Sequence, residues 1–329
     1  LFSSKLFMNL TATASDYEFQ FISNQDQFRF SLASGVRDIG SKFDFSYFPN
    51  TKNKIKFGLN YIFHTFTPSS VSSQSDSVVF NTGNPQKLFS HEEALYFLDE
   101  FDVNEALKFN LGLRYSMYQQ VGPFTRYIKG GIGSQDTAIN YAPGSLIKNY
   151  QGFEPRLSMR WMLPDKSSIK AGYAYNYQYV HLTSLSAVSL PTDIWFPSTD
   201  KAKPQTGWQG SVGYFKNFDD DKWETSVEIY YKGMNNLIEY KEGALPGDNI
   251  NDNTDNLLVY GKGWAYGIEF FVKRTVGKFT GWIGYTWSKT ERKFPDLNEG
   301  NIFPAKYDRR HDLSIVGTYT LNDRWTFSS

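Results

Sequence analysis

The ten residues Trp223 to Lys232, WETSVEIYYK, decide the fold class of this chain. Along them the apolar side chains of Val227, Ile229 and Tyr231 alternate with polar ones such as Glu228. A period of two residues is that of a β-strand, whose successive side chains point to opposite faces of a sheet. The stretch therefore predicts a strand with one apolar face and one polar face.

The same alternation recurs along the chain, for example in residues 54–63, 107–116 and 169–178. These segments have the roughly 9 to 11 residues that a tilted strand needs to cross a membrane. A soluble β-sandwich, which buries its apolar faces between two sheets, is the alternative. Aromatic rings near the strand ends favour the membrane barrel, because Tyr and Trp gather at membrane–water interfaces. We expect this girdle to contain Tyr175, Tyr177, Tyr179, Tyr230, Tyr231, Tyr285 and Trp287.

The composition excludes several other classes of protein. Aromatic residues make up 18% of the 329 residues, yet no run approaches the roughly 18 to 20 apolar residues of a spanning helix. The 34 basic residues are balanced by 34 acidic ones, so we expect no nucleic-acid partner. The absence of Cys excludes disulfides, thiolate metal sites and thiol catalysis.

The connections between the predicted strands have two lengths that alternate. Short turns rich in Asn, Asp, Gly or Pro are expected at 49–53, 102–105, 164–166, 217–221, 275–277 and 321–323. Long polar segments are expected at 67–90, 119–152, 182–205, 241–261 and 290–307. In outer-membrane barrels the short turns face the periplasm and the long loops face outside, which orients the chain.

The pattern predicts about thirteen strands in a single partial barrel domain that occupies residues 1–329. An open sheet edge is not stable in lipid, so we expect further strands outside this segment. We also expect a signal peptide outside it, because Leu1 is not followed by a charged and then apolar leader. A barrel of that size is either water-filled or closed by a plug. Charged side chains on the inner face then line a polar path or tie the wall to the plug.

No set of residues predicts catalysis, a cofactor or a metal centre. The four histidines, His64, His91, His181 and His311, lack the spacing of metal ligands. The run Asp308 to Asp312 (DRRHD) is interpreted as strand-end charges that pair laterally, with its side chains alternating between two faces. The loop Gly247 to Asn256 offers oxygen ligands suited to calcium, but it lacks EF-hand spacing and a solvated loop is expected.

Six segments form a recognisable set: WETSVEIYYKGMNNLIEY (223–240), GWAYGIEFFVK (263–273), TGWIGYTWSKT (280–290), FPAKYDRRHD (303–312), SHEEALYFLDE (90–100) and NLGLRY (110–115). Together they resemble the barrel of TonB-dependent outer-membrane receptors of the Bacteroidetes type. The resemblance implies an all-β, antiparallel transmembrane barrel of about 22 strands with a plug domain outside this segment. It also implies import driven by the TonB complex, which acts through that plug.

The leading hypothesis is active nutrient import across the bacterial outer membrane by a multi-pass barrel that is not an enzyme. A passive porin and a structural or surface-assembly barrel are the alternatives. Candidate ligand-binding residues are the loop aromatics Tyr127, Tyr141, Trp195 and Phe196, whose rings alternatively anchor the loops to each other. Expected partners are outer-membrane lipid, a small-molecule, glycan or peptide ligand and, by analogy with glycan importers, a surface lipoprotein.

Overall fold

A computed structural model of the protein describes residues 3–25, 28–75, 78–81, 86–128, 130, 135–183, 194–244 and 253–329. Its strands are β1 (Leu6–Gln25), β2 (Phe28–Tyr47), β3 (Asn53–Ser75), β4 (Val78–Asn81), β5 (Leu88–Asp102), β6 (Leu107–Val121), β7 (Phe124–Ile128), β8 (Thr137–Tyr141), β9 (Leu146–Met162), β10 (Ser168–Gln178), β11 (Val180–Thr183), β12 (Ile194–Pro197), β13 (Gln205–Phe218), β14 (Trp223–Tyr240), β15 (Leu258–Arg274), β16 (Phe279–Lys293), β17 (Ile302–Pro304), β18 (His311–Asn322) and β19 (Trp325–Ser328). The described part of the chain is therefore built mainly from strands.

Thirteen of these strands form one continuous antiparallel path, which we call the wall. Its order is β1-β2-β3-β5-β6-β9-β10-β13-β14-β15-β16-β18-β19. Each strand pairs with the next one along the path, as consecutive hairpins do. The predicted all-β antiparallel fold and the strand number are thus confirmed for the described residues.

The strand register places apolar side chains on one face of the wall and charged side chains on the other. Val212 of β13 pairs with Ile229 of β14, and Ile229 pairs with Ile268 of β15. One residue along, Glu228 pairs with Glu269 on the opposite face. Because the side chains alternate, the apolar row lies on one face and the charged row on the other.

The short turns lie where the sequence predicted them, and Asn side chains shape several of them. The Asn50 Oδ1 atom accepts hydrogen bonds from the backbone N–H groups of Lys52 (2.8 Å) and Asn53 (2.9 Å). Asn104 and Asn322 bond to the backbone of their own turns in the same way. Such side chains replace a backbone turn bond and fix a tight hairpin.

The long connections differ from the polar loops that we expected, because they contain strands of their own. β7 and β8 form a separate two-stranded sheet, and so do β11 and β12. β3 continues to Ser75, well into the expected loop at 67–90. The helical elements of the described chain are two 3-10 turns, Thr254–Leu257 and Asn298–Gly300. No helix in the described ranges is long and apolar enough to cross a membrane.

The wall curves around the β11–β12 sheet. β12 lies against β2 and β3, whereas β11 lies against β14. β3 and β14 are the third and ninth strands of the wall path. One small sheet can touch both only if the wall bends around it, so the charged face that surrounds it is the inner face.

An aromatic girdle runs along the outward face of the wall. The rings of Trp208, Tyr231, Tyr266 and Trp287 follow one another at centroid distances of 5.3, 6.1 and 6.1 Å. Tyr231 and Trp287 of the expected set belong to this row, whereas Tyr230 and Tyr179 do not. Tyr230 is adjacent to Tyr231 in β14 and therefore faces inward, since side chains alternate. Tyr179 is only 3% exposed, because its ring stacks on that of Tyr118.

Candidate functional site: a cap over the end with the long connections

The long connections pack together over one end of the wall and form a unit that we call the cap. It comprises the described residues of 122–145, 179–204 and 253–257. Its apolar core consists of buried side chains from the cap and from the adjoining wall strands: Phe66, Leu88, Phe124, Phe196, Ala202, Ile238, Tyr240 and Leu258. Loops normally run over the surface and stay mobile. A shared apolar core instead makes these connections one packed body.

A buried arginine joins three separate parts of the cap. The Arg126 guanidinium donates from Nη1 to Asp255 Oδ1 at 2.6 Å and from Nη2 to Asp255 Oδ2 at 2.8 Å. Its Nε donates to Asp200 Oδ2 at 3.2 Å, and Nη2 also bonds to Asp200. The side chains of Arg126 and Asp255 are 7% and 1% exposed. Each of the two carboxylates accepts from two guanidinium nitrogens, and together they satisfy a charge that would otherwise be costly to bury.

The local electrostatics keep this arginine charged. Burial disfavours the charged guanidinium, but the hydrogen bonds that it donates to Asp255 and Asp200 outweigh that effect and hold the pKa of Arg126 above its usual value. The Thr199 hydroxyl donates to Asp255 Oδ2 at 2.6 Å, so the carboxylate is further saturated. The loop interpreted as solvated is therefore partly buried at Asp255, while its residues 247–252 lie outside the described residues.

Backbone contacts tie the same parts together. Asn253 Oδ1 accepts from the Tyr127 N–H at 2.8 Å, and Asn253 Nδ2 donates to the Thr125 carbonyl at 2.9 Å. The hydroxyl groups of Tyr118 and Tyr150 donate to the carbonyls of Ser198 (3.0 Å) and Thr199 (2.8 Å). Tyr118 and Tyr150 belong to the wall strands β6 and β9, so the cap is fixed to the wall as well as within itself.

His181 lies at the centre of this packing. Its side chain is fully buried, and Nε2 lies 3.0 Å from the Ser198 hydroxyl. Nδ1 has no hydrogen-bond partner among the described residues. Burial lowers the pKa of His181 to about 4, so the ring is neutral at pH 7. This histidine belongs to the packed interior of the cap and offers no group to solvent.

The four aromatic residues predicted to bind ligand all lie in the cap. Tyr127 and Tyr141 belong to the β7–β8 hairpin, whereas Trp195 and Phe196 belong to β12. Phe196 is 2% exposed within the apolar core, against which Tyr141 packs. Tyr127 and Trp195 are half-buried. The packing of Phe196 fits the anchoring alternative, and the ligand role of all four residues stays a prediction.

Sequence reasoning missed Arg126 and Asp200, and it considered Asp255 only as part of the oxygen-rich loop Gly247 to Asn256. None of the three residues belongs to a motif or a repeat that indicates their contact. The partners of Arg126 are 74 and 129 residues away along the chain. The one local signal is Thr199, whose hydroxyl accepts from the Ala202 N–H at 2.9 Å and thereby marks a turn.

The inner face of the wall carries a row of acidic and basic side chains below the cap. His64 Nδ1 lies 2.8 Å from Asp38, and His64 Nε2 lies 3.6 Å from Glu92. Arg114 follows, at 3.6 Å from both Glu92 and Glu154. The row crosses β2, β3, β5, β6 and β9. It gives the interior a polar, hydrogen-bonding surface that suits either a water-filled path or contact with a polar domain.

The structure also places the groups that were weighed for metal binding or catalysis. Among the described residues, no three His, Cys, Asp or Glu side chains are grouped so that they could hold a metal ion. In the run DRRHD, Arg310 pairs with Asp308 at 3.0 Å, and Asp308 accepts from the Thr290 N–H at 2.7 Å. Because β18 begins only at His311, the expected alternation of residues 308–310 is wrong.

Comparisons with known proteins agree on the fold. The copper transporter OprC is 12% identical with a TM-score of 0.70 and matches over 99% of this chain and 50% of its own. The ferric yersiniabactin uptake receptor FyuA from Yersinia pestis is 11% identical with a TM-score of 0.66, over 99% and 46%. The siderophore receptor PiuA from Acinetobacter baumannii is 11% identical with a TM-score of 0.60, over 99% and 52%.

The chain spans about half the length of these solved structures. No protein with a curated description matches the sequence. The family model described as TonB dependent receptor-like, beta-barrel matches residues 2–329. The chain therefore belongs to the β-barrel family of TonB-dependent receptors, which are outer-membrane uptake proteins.

Proposed function

We propose that this chain forms part of the barrel of a receptor that actively imports a nutrient across the bacterial outer membrane. The observation that carries the proposal is the cap. It is a packed body at one end of a wall that belongs to the TonB-dependent receptor family, and the other end of that wall carries the short turns. A packed cap offers shaped surface for a ligand outside the membrane, while the polar inner face leads away from it. No chemical bond is made or broken in this function.

The finer architecture follows from the same proposal. The receptor has a closed barrel of about 22 strands with a plug domain inside, and the TonB complex acts through that plug. The receptor is of the Bacteroidetes type and spans the outer membrane many times. Residues 1–329 form a single part of that barrel, and a surface lipoprotein covers the cap if the ligand is a glycan.

The ligand is a scarce nutrient that is captured by the exposed parts of the cap. The similar structures include a copper transporter, a ferric yersiniabactin uptake receptor and a siderophore receptor. Metal ions and their chelates are therefore candidate ligands, together with glycans and peptides. Tyr127, Tyr141 and Trp195 offer aromatic surface to such a ligand, since rigid rings give large contact area at little entropic cost. Phe196 supports that surface from the core.

The proposal is tested by growth and uptake in the native organism. A strain that lacks the gene is compared with its parent on single limiting nutrients: iron chelates, copper, cobalamin, glycans and peptides. We expect a growth defect on one class, and the same defect in a strain without TonB. Normal growth on every nutrient, or uptake that does not need TonB, would contradict active import. Conductance of the intact protein in a planar bilayer would then identify an open pore.

Substitutions in the cap test the ligand surface. Tyr127→Ala and Trp195→Ala are each expected to weaken uptake of the identified nutrient several-fold without changing the amount of folded receptor. Leu321→Ala, on an exposed strand end near a short turn, is the matched control. Unchanged uptake in both aromatic variants would remove these residues from the ligand surface.

A further inference from the structure

Arg126 is the point at which three outer connections of the barrel meet. It lies in β7, within the connection between β6 and β9. Asp200 lies in the connection between β10 and β13, and Asp255 lies in the connection between β14 and β15. One guanidinium group thus bonds to carboxylates from two other connections. The three are successive outer connections along the chain, and two wall strands joined by a short turn separate each from the next.

Each connection is also held by a second polar contact close to the arginine. Asn253 bonds through both ends of its amide to the backbone of β7, at Thr125 and Tyr127. The Asp200 N–H donates to Gln120 Oε1 at 2.9 Å, and the Gln120 side chain is 1% exposed. The arginine therefore stands inside a network and not in an isolated ion pair.

A buried network of this kind favours one arrangement of its members. If the connection of Arg126 or that of Asp255 moved away, a buried charge would lose its main partner, which is strongly unfavourable. If the connection of Asp200 moved away, Arg126 would lose Asp200 and Asp255 would lose the Thr199 hydroxyl. Water does not readily compensate, since the side chains of Asp255 and Thr199 are 1% exposed. The three connections consequently hold together or open together.

We propose that Arg126 is a positioning residue that locks three outer connections into one preformed cap, so that the ligand surface beside Tyr127 exists before a ligand arrives. Tyr127 directly follows Arg126, and its backbone N–H and carbonyl bond to Asn253 and Asn256. The link to ligand binding rests on the proposed function. The locking itself does not depend on it.

The lock is tested by hydrogen exchange on the full-length receptor in lipid nanodiscs, without any ligand. In Arg126→Met, which keeps most of the aliphatic stem, protection of amides in 124–128, 198–202 and 253–257 is expected to fall together by about tenfold or more. Arg126→Lys is expected to retain part of the protection, because it keeps the charge but loses the planar fork. The amides of β14 and β15 keep their protection.

A matched control distinguishes the lock from a general effect of removing a buried ion pair. Arg292 pairs with Glu239 at the same end of the wall, and their side chains are 20% and 12% exposed. Arg292→Met is expected to leave protection of 124–128 and 198–202 unchanged. An equal loss in this control, or a loss in Arg126→Met that is confined to 124–128, would overturn the proposal.

Two further variants keep the test decisive if Arg126→Met does not fold. Asp200→Asn alters the more exposed carboxylate, at 30% exposure, and is expected to lower protection of all three segments by a smaller factor. In Asp255→Asn combined with Arg126→Met, the loss should be smaller than the product of the two single losses, because no unpaired Asp255 charge remains. Multiplicative losses would mean that the residues act independently. If exchange shows the lock but no nutrient is taken up, the proposed function fails while the lock stands.

Discussion

Replacing Ile229 with Arg is expected to destabilise the barrel by about 2 to 4 kcal/mol, the range for a cationic side chain near the middle of the lipid-facing surface. Ile229 is 55% exposed on the outward face. Its strand, β14, begins at Trp223, and the girdle residue Trp208 lies opposite Gly233. Ten residues separate these two levels, or roughly 33 Å along a strand and roughly 25 Å across the membrane at the usual tilt. Ile229 lies close to the middle of that band.

The neighbouring position supplies a matched control. Glu228 precedes Ile229 in the same strand at nearly the same depth, but it faces the interior, directly opposite Glu269. Two acidic side chains in that position repel each other. Glu228→Arg is therefore expected to leave stability unchanged or to raise it slightly, by about 0.2 to 1 kcal/mol. The two arginine variants differ in the face that they occupy and hardly in depth.

The measurement is a urea titration of the intact receptor refolded into phospholipid vesicles, followed by tryptophan fluorescence. The folded fraction is checked by heat-dependent mobility in a detergent gel. Ile229→Arg should shift the midpoint to lower urea, and Glu228→Arg should not. If the two variants cost the same, or if Glu228→Arg costs more, the assignment of the outward face to lipid is refuted.

Three further predictions concern single contacts in the wall and the cap. A Cβ atom at Gly233 would lie 2.5 Å from the indole nitrogen of Trp208, so Gly233→Ala should cost about 1 to 3 kcal/mol and alter indole fluorescence. Gly207→Ala is the control and should leave stability and fluorescence unchanged, because the atom nearest to its Cβ would be 3.7 Å away. Burial lowers the pKa of His181 to about 4, so between pH 6.5 and pH 4 the unfolded cap binds more protons than the folded cap. The stability of the cap should therefore fall by about 3 kcal/mol as the pH is lowered through that window. Hydrogen exchange at pH 7 and pH 5 checks this, and an equal pH response in His181→Gln would contradict it. Phe196→Ala should lower the folding stability of the cap by about 3 to 5 kcal/mol, and Phe196→Leu should lower it by less. Limited proteolysis measures this, and equal cleavage of both variants and the parent would argue against a core role.

The wall could be predicted from the sequence because its rules are local. The alternation in residues 223–232 fixes which face each side chain occupies, and a slip by one residue would expose the wrong set to lipid. Asn50 and Asn104 mark tight turns by bonding to backbone groups two and three residues further on. A period of two and a turn residue are both visible within a window of about ten residues.

The cap could not be predicted in the same way, since its determinants are far apart in the chain. β7 has five residues and β12 has four, too few to show a period. Arg126 meets Asp255 across 129 residues, and nothing near either residue indicates the other. The same limit explains the error at Tyr179, which looks like a girdle residue by its spacing but is buried against Tyr118.

The two parts of the molecule therefore respond differently to substitution. The wall is held by backbone ladders that every strand shares with its neighbours, so a change of one inward side chain leaves the ladder intact. The cap has few ladder bonds of its own and depends on Arg126 and on the apolar core around Phe196. A ligand surface can change there without disturbing the membrane-spanning strands. This separation predicts that substitutions of Arg126 speed hydrogen exchange in the cap and leave the urea midpoint of the wall unchanged. Ile229→Arg should do the reverse, lowering the urea midpoint and leaving hydrogen exchange in the cap unchanged.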